Sequence, residues 1–133
     1  MKVVVETNVL VSSFWGGKPK EIIQLWCNGR ITLCINQGII EEYFRVLKKL
    51  GLENEEELEF IFRAIESGKN LEYCIGTIFK KYIIDDPDDD KFVNCALELD
   101  ARFIISGDKH LLGAGKIMDI EILKPSNFLE RLK

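Results

Sequence analysis

The sequence has a single histidine, His110, and no C-x-x-C pair. Its four cysteines, Cys27, Cys34, Cys74 and Cys95, stand 7, 40 and 21 residues apart. Zinc sites of the Cys₂His₂ or Cys₄ type are built from closely paired ligands, so no such site is expected. The cysteines sit among apolar neighbours, as in TLCIN and VNCAL, and read as buried free thiols of a reducing compartment. No apolar run approaches the roughly 20 residues that cross a membrane as a helix. The opening MKVVVET has no signal-peptide pattern, which makes the cytoplasm the expected location. Positive charge is also in short supply. Lys and Arg number 18 against 22 Asp and Glu, a net charge of -4, and the pI is about 5.1. A globally basic nucleic-acid binder is thereby excluded, and only a local basic patch is left open.

What is present suits one folded domain spanning 1–133. The chain is 47% hydrophobic and 30% charged, which argues against a disordered chain, a collagen or a disulfide scaffold. It has neither an internal repeat nor a low-complexity linker. Buried strands are expected at 2–5, 31–35, 102–106 and 120–123, each a short apolar run. Residues 12–18 read as a turn-rich loop, followed by a helix with Pro19 in its first turn and a stop at Asn28-Gly29. Asn36 is an expected N-cap for a helix over 37–50, with Ile39, Ile40, Tyr43, Val46, Leu47 and Leu50 inward. Asn54 and Glu57 form a candidate capping box for a helix that buries Leu58, Ile61, Phe62 and Ile65 and stops near Gly68. Residues 71–84 read as strand-like and irregular. A helix starts within DDPDDD (85–90) and runs to about Leu99. Residues 107–115 read as a loop with one helical turn, and 125–132 as a closing helix. Strands alternating with helices predict a parallel sheet between helical layers, with its site at the carboxyl ends of the strands.

That rule brings scattered acids together. Glu6 follows the first strand, Asp108 a later one, and Asp90 opens the helix that feeds it. Glu42 lies on the first turns of the helix after the second strand. Carboxylates converging on one edge raise one another's pKa and destabilise the fold unless a cation neutralises them. Hard divalent ions such as Mg²⁺ or Mn²⁺ take such oxygen ligands and serve phosphate chemistry. Each acid taken singly reads more simply as a helix cap or a solvated charge, and the Asp run as a solvated turn. The run lacks the spacing of an EF-hand calcium loop.

In order along nearly the whole chain, these segments resemble the PIN-domain ribonucleases, and in particular the small prokaryotic members that serve as toxins of toxin–antitoxin pairs. VVVETNVLVS resembles the family's first strand with its D-T-N-V-L. IIEEYFRVL resembles the second segment, DPDDDKFVNCALELDARFIISGDKHLL the third and fourth, and KPSNFL the closing helix. The resemblance implies an α/β three-layer sandwich, with a central, mainly parallel sheet flanked by helices. It implies a metal-dependent endoribonuclease that uses one or two Mg²⁺ or Mn²⁺ ions and leaves a 3′-hydroxyl and a 5′-phosphate. Carried over residue by residue, the four acids fall on Glu6, Glu42, Asp90 and Asp108, with Glu6, Asp90 and Asp108 as metal ligands. Asn8 and Ser106 fall on the bracing positions. Glu41 is an alternative to Glu42, and Asp88 and Asp89 are candidate supports for Asp90. Lys18, Lys20, Arg45, Lys91 and Lys109 are the candidate RNA contacts. The implied partners are RNA, a small antitoxin that covers the cleft, and a second copy of the chain, with Phe14 and Trp15 read equally as interface residues or as core or loop anchors.

The chain departs from the family pattern in two places. Glu6 stands where the family has Asp, so the carboxylate reaches one methylene further. Three readings follow: a ligand from a retracted backbone, a weakened or inactive enzyme, or an engineered substitution. His110 stands where the family often has a second Asp, and reads as a surface or substrate-side histidine. Three other functions stay open beside the nuclease: a non-catalytic RNA- or protein-binding module, a phosphohydrolase, and a purely structural domain. ETNVL lacks the D-x-D-x-T/V pattern of the phosphohydrolases.

Overall fold

The computed structural model describes residues 1–75 and 89–133. Its elements run β1 (Lys2–Val5), α1 (Thr7–Ser12), a 3₁₀ turn (Ser13–Trp15), α2 (Gly17–Cys27), β2 (Thr32–Asn36), α3 (Gln37–Lys49), α4 (Glu56–Ser67), β3 (Leu71–Cys74), α5 (Asp90–Leu99), β4 (Phe103–Ile105), α6 (Lys109–Ala114), β5 (Lys116–Ile117), β6 (Ile120–Leu123) and α7 (Pro125–Arg131). The strands form one sheet of order β3-β2-β1-β4-β6-β5. All neighbours are parallel except the β5–β6 pair. Val3 pairs with Leu33 on one side and Phe103 on the other, and Val5 pairs with Ile105.

Val3, Val4, Val5, Leu33, Ile35, Ile104 and Ile105 are all buried, as strands covered on both faces require. Against them pack Ile22 and Trp26 of α2, Tyr43 of α3, Phe92 and Val93 of α5 and Phe128 of α7. Burial of each such side chain contributes about 1.5–3 kcal/mol. The architecture is the expected sandwich of a mainly parallel sheet between helices. The chain leaves β1 to lay down β2 on one side and returns with β4 on the other, so the crevice beyond the carboxyl ends of β1 and β4 is a switch point of the sheet.

Several local expectations are corrected. A helix, α1, follows β1 directly, and α2 starts at Gly17, which puts Pro19 in its first turn as expected. α4 begins at Glu56 after Glu55, without the Asn54–Glu57 capping box, and ends on Gly68 in the left-handed region (φ 69°). Phe62 and Leu50 are exposed rather than inward: Leu50 caps α3 beyond its last helical residue, and Phe62 lies against the ring of Phe44 rather than in the core. The segment 107–115 contains a six-residue helix, α6, and β5 pairs with β6 as an unexpected hairpin. The strand expected across 71–84 ends at Cys74 among the described residues; its remainder lies outside them. All four cysteines are free thiols, three of them buried.

Candidate active site

Glu6 leaves β1 and at once becomes the N-cap of α1. Its Oε2 accepts the backbone N–H of Asn8 at 2.8 Å. Its Oε1 accepts the Ser106 hydroxyl at 3.3 Å, and Ser106 Oγ in turn accepts the backbone N–H of Asp108 at 2.9 Å. Glu6, Ser106 and Asp108 thus form a hydrogen-bonded run across the carboxyl ends of β1 and β4. Glu6 is 4% exposed. Burial pushes its carboxyl from 4.5 up to about 6, against the Asn8 and Ser106 hydrogen bonds, which favour the ionised form. The charges of Asp108 and Glu42 push in the same direction as burial.

Asp108 is the N-cap of α6, where Oδ1 accepts the amides of His110 (2.8 Å) and Leu111 (3.2 Å). A cleft of about 440 Å³ opens beside it, between Asn8, Ser12, Gly107 and Lys109.

Glu42 comes to the same rim from α3, through contacts with Thr7 and Lys91 that the sequence did not announce and one with Arg45, three residues on. It accepts the Thr7 hydroxyl. Its Oε1 lies 2.5 Å from Lys91 Nζ and 3.7 Å from Arg45 Nη2. The next residue, Tyr43, is buried and donates its hydroxyl to the Val5 carbonyl at 2.5 Å. The residue after Glu42 therefore clasps the residue before Glu6. Burial raises the Tyr43 phenol well above its ordinary pKa, so it serves as a fixed donor.

Asp90 is the first residue of α5, and both it and Asp89 are buried. Asn36 ties this turn to the site. Its Oδ1 caps α3 by accepting the Ile39 amide at 2.8 Å, and its Nδ2 donates to the Lys91 carbonyl at 3.3 Å.

The remaining expected residues divide. Asn8 braces Glu6 by its backbone amide, and its side chain is exposed toward the cleft. Glu41 is exposed and accepts Gln37 Nε2 at 3.0 Å, away from the carboxylate rim. Asp88 lies outside the described residues. Lys18 and Lys109 are exposed, as is Arg45. Lys20 is paired with Glu57 at 3.6 Å, and Lys91 is committed to Glu42. His110 is not simply a surface residue. A ring nitrogen of His110 and one carboxylate oxygen each of Asp89 and Asp108 lie within 4.8 Å of one another. Asp108 is the member this group shares with the expected ligands Glu6, Asp90 and Asp108. Thr7, Tyr43 and Asn36 were missed; only the apolar spacing around Tyr43 and the cap position of Asn36 gave a signal.

Carboxylate oxygens gathered with one imidazole are donors that could hold a divalent cation. The Glu6 carboxyl is raised chiefly by burial, with the charges of Asp108 and Glu42 adding in the same direction. The PIN domain family matches residues 2–110 of the chain. Searches of curated proteins and of solved structures find no match to it.

Proposed function

The chain belongs to the PIN-domain family, and from that membership and the acidic rim around Glu6 we propose that it is a divalent-metal-dependent endoribonuclease that hydrolyses RNA phosphodiesters. The hydrogen-bonded run of Glu6, Ser106 and Asp108 at the switch point of the sheet carries this reading. Glu6, Asp90 and Asp108 hold one or two Mg²⁺ or Mn²⁺ ions, and Glu42 completes the acidic set. When bound, the ion supplies charge neutralisation at the phosphoryl oxygens and acidifies a water for in-line attack. Ser106 and the Asn8 amide fix the Glu6 carboxylate. Asp89 backs Asp90 from the preceding position. Lys109, Lys18 and Arg45 offer exposed cations to the RNA backbone. Lys91 acts on the acidic rim by holding Glu42, and Lys20 is engaged by Glu57.

The test is cleavage of a mixed single-stranded RNA pool with Mn²⁺ by this protein and by its Glu6→Asp and Asp90→Asn variants. Cleavage that falls at least about 100-fold in Asp90→Asn is expected. Cleavage indifferent to both Asp90→Asn and a chelator overturns the reading. A second reading, an RNA-binding PIN module without cleavage, is favoured by one observation: Glu6 is longer than the family's Asp and is spent on capping α1. Cleavage confined to Glu6→Asp would establish it.

The finer reading is the toxin of a toxin–antitoxin pair, working in the cytoplasm as a homodimer and restrained by an antitoxin over the acidic cleft. It is supported by the resemblance of ETNVL and DPDDDKF to those toxins. Growth arrest on expression, relieved by Asp90→Asn, is the result expected.

A further inference from the structure

His110 is the chain's only histidine, and the reading above leaves it without a role. It sits on the first turn of α6, two residues after Asp108, with its ring turned back toward that carboxylate. Nδ1 stands 3.8 Å from Asp108 Oδ1, too far for a hydrogen bond. That nitrogen is buried and has no hydrogen-bond partner among the described residues. A polar atom so placed costs free energy unless something binds it.

Asp89 reaches the same point from the start of α5. Its carboxylate, that of Asp108 and the His110 ring offer three ligand atoms within 4.8 Å of one another. Donors that each lie about 2.1 Å from one ion stand at most about 4.2 Å apart. The three ligand atoms, at most 4.8 Å apart, close around one ion with a movement of roughly half an ångström. The amides of His110 and Leu111 hold Asp108 through Oδ1, which aims the carboxylate without using its other oxygen. The three groups come from the starts of two helices, and the backbone of each helix fixes its side of the set.

We propose that His110 is a nitrogen ligand of the metal centre, sharing one divalent ion with Asp89 and Asp108, and that it makes this chain prefer a transition ion such as Mn²⁺ to Mg²⁺. The inference rests on the metal-dependent reading above and names the ion that reading leaves open. Mg²⁺ takes oxygen ligands and sheds water reluctantly, whereas imidazole suits the first-row transition ions. Aspartate at the same position would offer oxygen and suit either ion.

A single histidine makes the test specific. Mn²⁺ is titrated into the tag-free full chain, and pulsed electron paramagnetic resonance reads nitrogen coupling to the ion. Any imidazole coupling belongs to His110. Coupling is expected in this protein and absent from His110→Gln and His110→Asp. Calorimetry should give about tenfold weaker Mn²⁺ binding in His110→Gln, with Mg²⁺ binding little changed. His110→Asp should bind Mg²⁺ more tightly than this protein does. Mn²⁺ bound without nitrogen coupling overturns the inference and leaves the metal-dependent reading standing. Failure of this protein to bind Mn²⁺ at all overturns both.

Discussion

Lys91 Nζ lies 2.5 Å from Glu42 Oε1, so a cation from α5 already sits against the acidic rim. The two side chains are 24% and 15% exposed, well below the exposure at which ion pairs contribute little. Removing the lysine leaves Glu42 largely buried beside Glu6. In chelator, Lys91→Gln should lower the free energy of unfolding by about 1–3 kcal/mol. Saturating Mn²⁺ should shrink that loss, because the ion takes over the neutralisation. Urea melts in the two buffers measure both values. Equal losses would show that Lys91 does not neutralise the metal-binding rim.

Glu6 predicts a pH dependence of the metal-free protein. Its folded-state pKa is about 6 against an ordinary 4.5, so between these values the folded state binds more protons than the unfolded chain. The stabilisation from the protonated carboxyl is therefore complete below about pH 4.5 and is lost as pH rises through about 6. Its size is about 2 kcal/mol. Glu6→Gln keeps one oxygen as acceptor for the Asn8 amide, puts an N–H donor opposite Ser106 Oγ where the second carboxylate oxygen stood, and removes the charge. It should be more stable than the parent by up to about 2 kcal/mol at pH 7.5 and nearly equal at pH 4. Parallel stability curves for the two proteins would refute this account of Glu6.

The layers were legible because buried parallel strands are short Val/Ile runs, as at Val3–Val5 and Ile104–Ile105, and because Asn36 and Pro125 mark helix starts chemically. Placing acids after strands was enough to bring Glu6 and Asp108 to one crevice. α1 was not legible. Thr7–Ser12 carries β-branched residues that favour strands, and it is helical because Glu6 caps it while Val9, Leu10 and Val11 bury. Tertiary packing there overrides propensity. The two-residue β5 has no periodicity to read, and its turn depends on Met118 at φ 53°. The links of Lys91 to Glu42 and of His110 to Asp89 join residues far apart in the chain. They depend on which turn of each helix faces the crevice, which spacing alone does not give.

Asn36 ties together the elements that carry Glu42 and Asp90. One oxygen caps α3 and one amide nitrogen holds the Lys91 carbonyl. Asn36→Ser keeps a cap and loses the second bond, so it should cost about 1 kcal/mol. Asn36→Ala loses both and should cost about 2 kcal/mol. Chemical denaturation of the three proteins gives the comparison. Equal costs for the two variants would mean that the bond to Lys91 contributes nothing.

Trp15 and Phe14 were paired as interface candidates, and the structure separates them. Trp15 is 70% exposed on the 3₁₀ turn, whereas Phe14 packs against the core. An exposed tryptophan on a short, well-held turn is the kind of side chain that anchors an interface. If a dimer forms through this turn, the parent should scatter light as twice 15.3 kDa and Trp15→Ser as a single chain. Removing a side chain that is mostly in water should change monomer stability by less than about 0.5 kcal/mol. Phe14→Ser should instead destabilise the fold, by about 2–4 kcal/mol, because it strips apolar contacts from the core. A Trp15→Ser protein that keeps the dimer mass would move the self-association face elsewhere. A parent that already runs as a monomer would remove the dimer from the account of this turn and leave Trp15 for another partner.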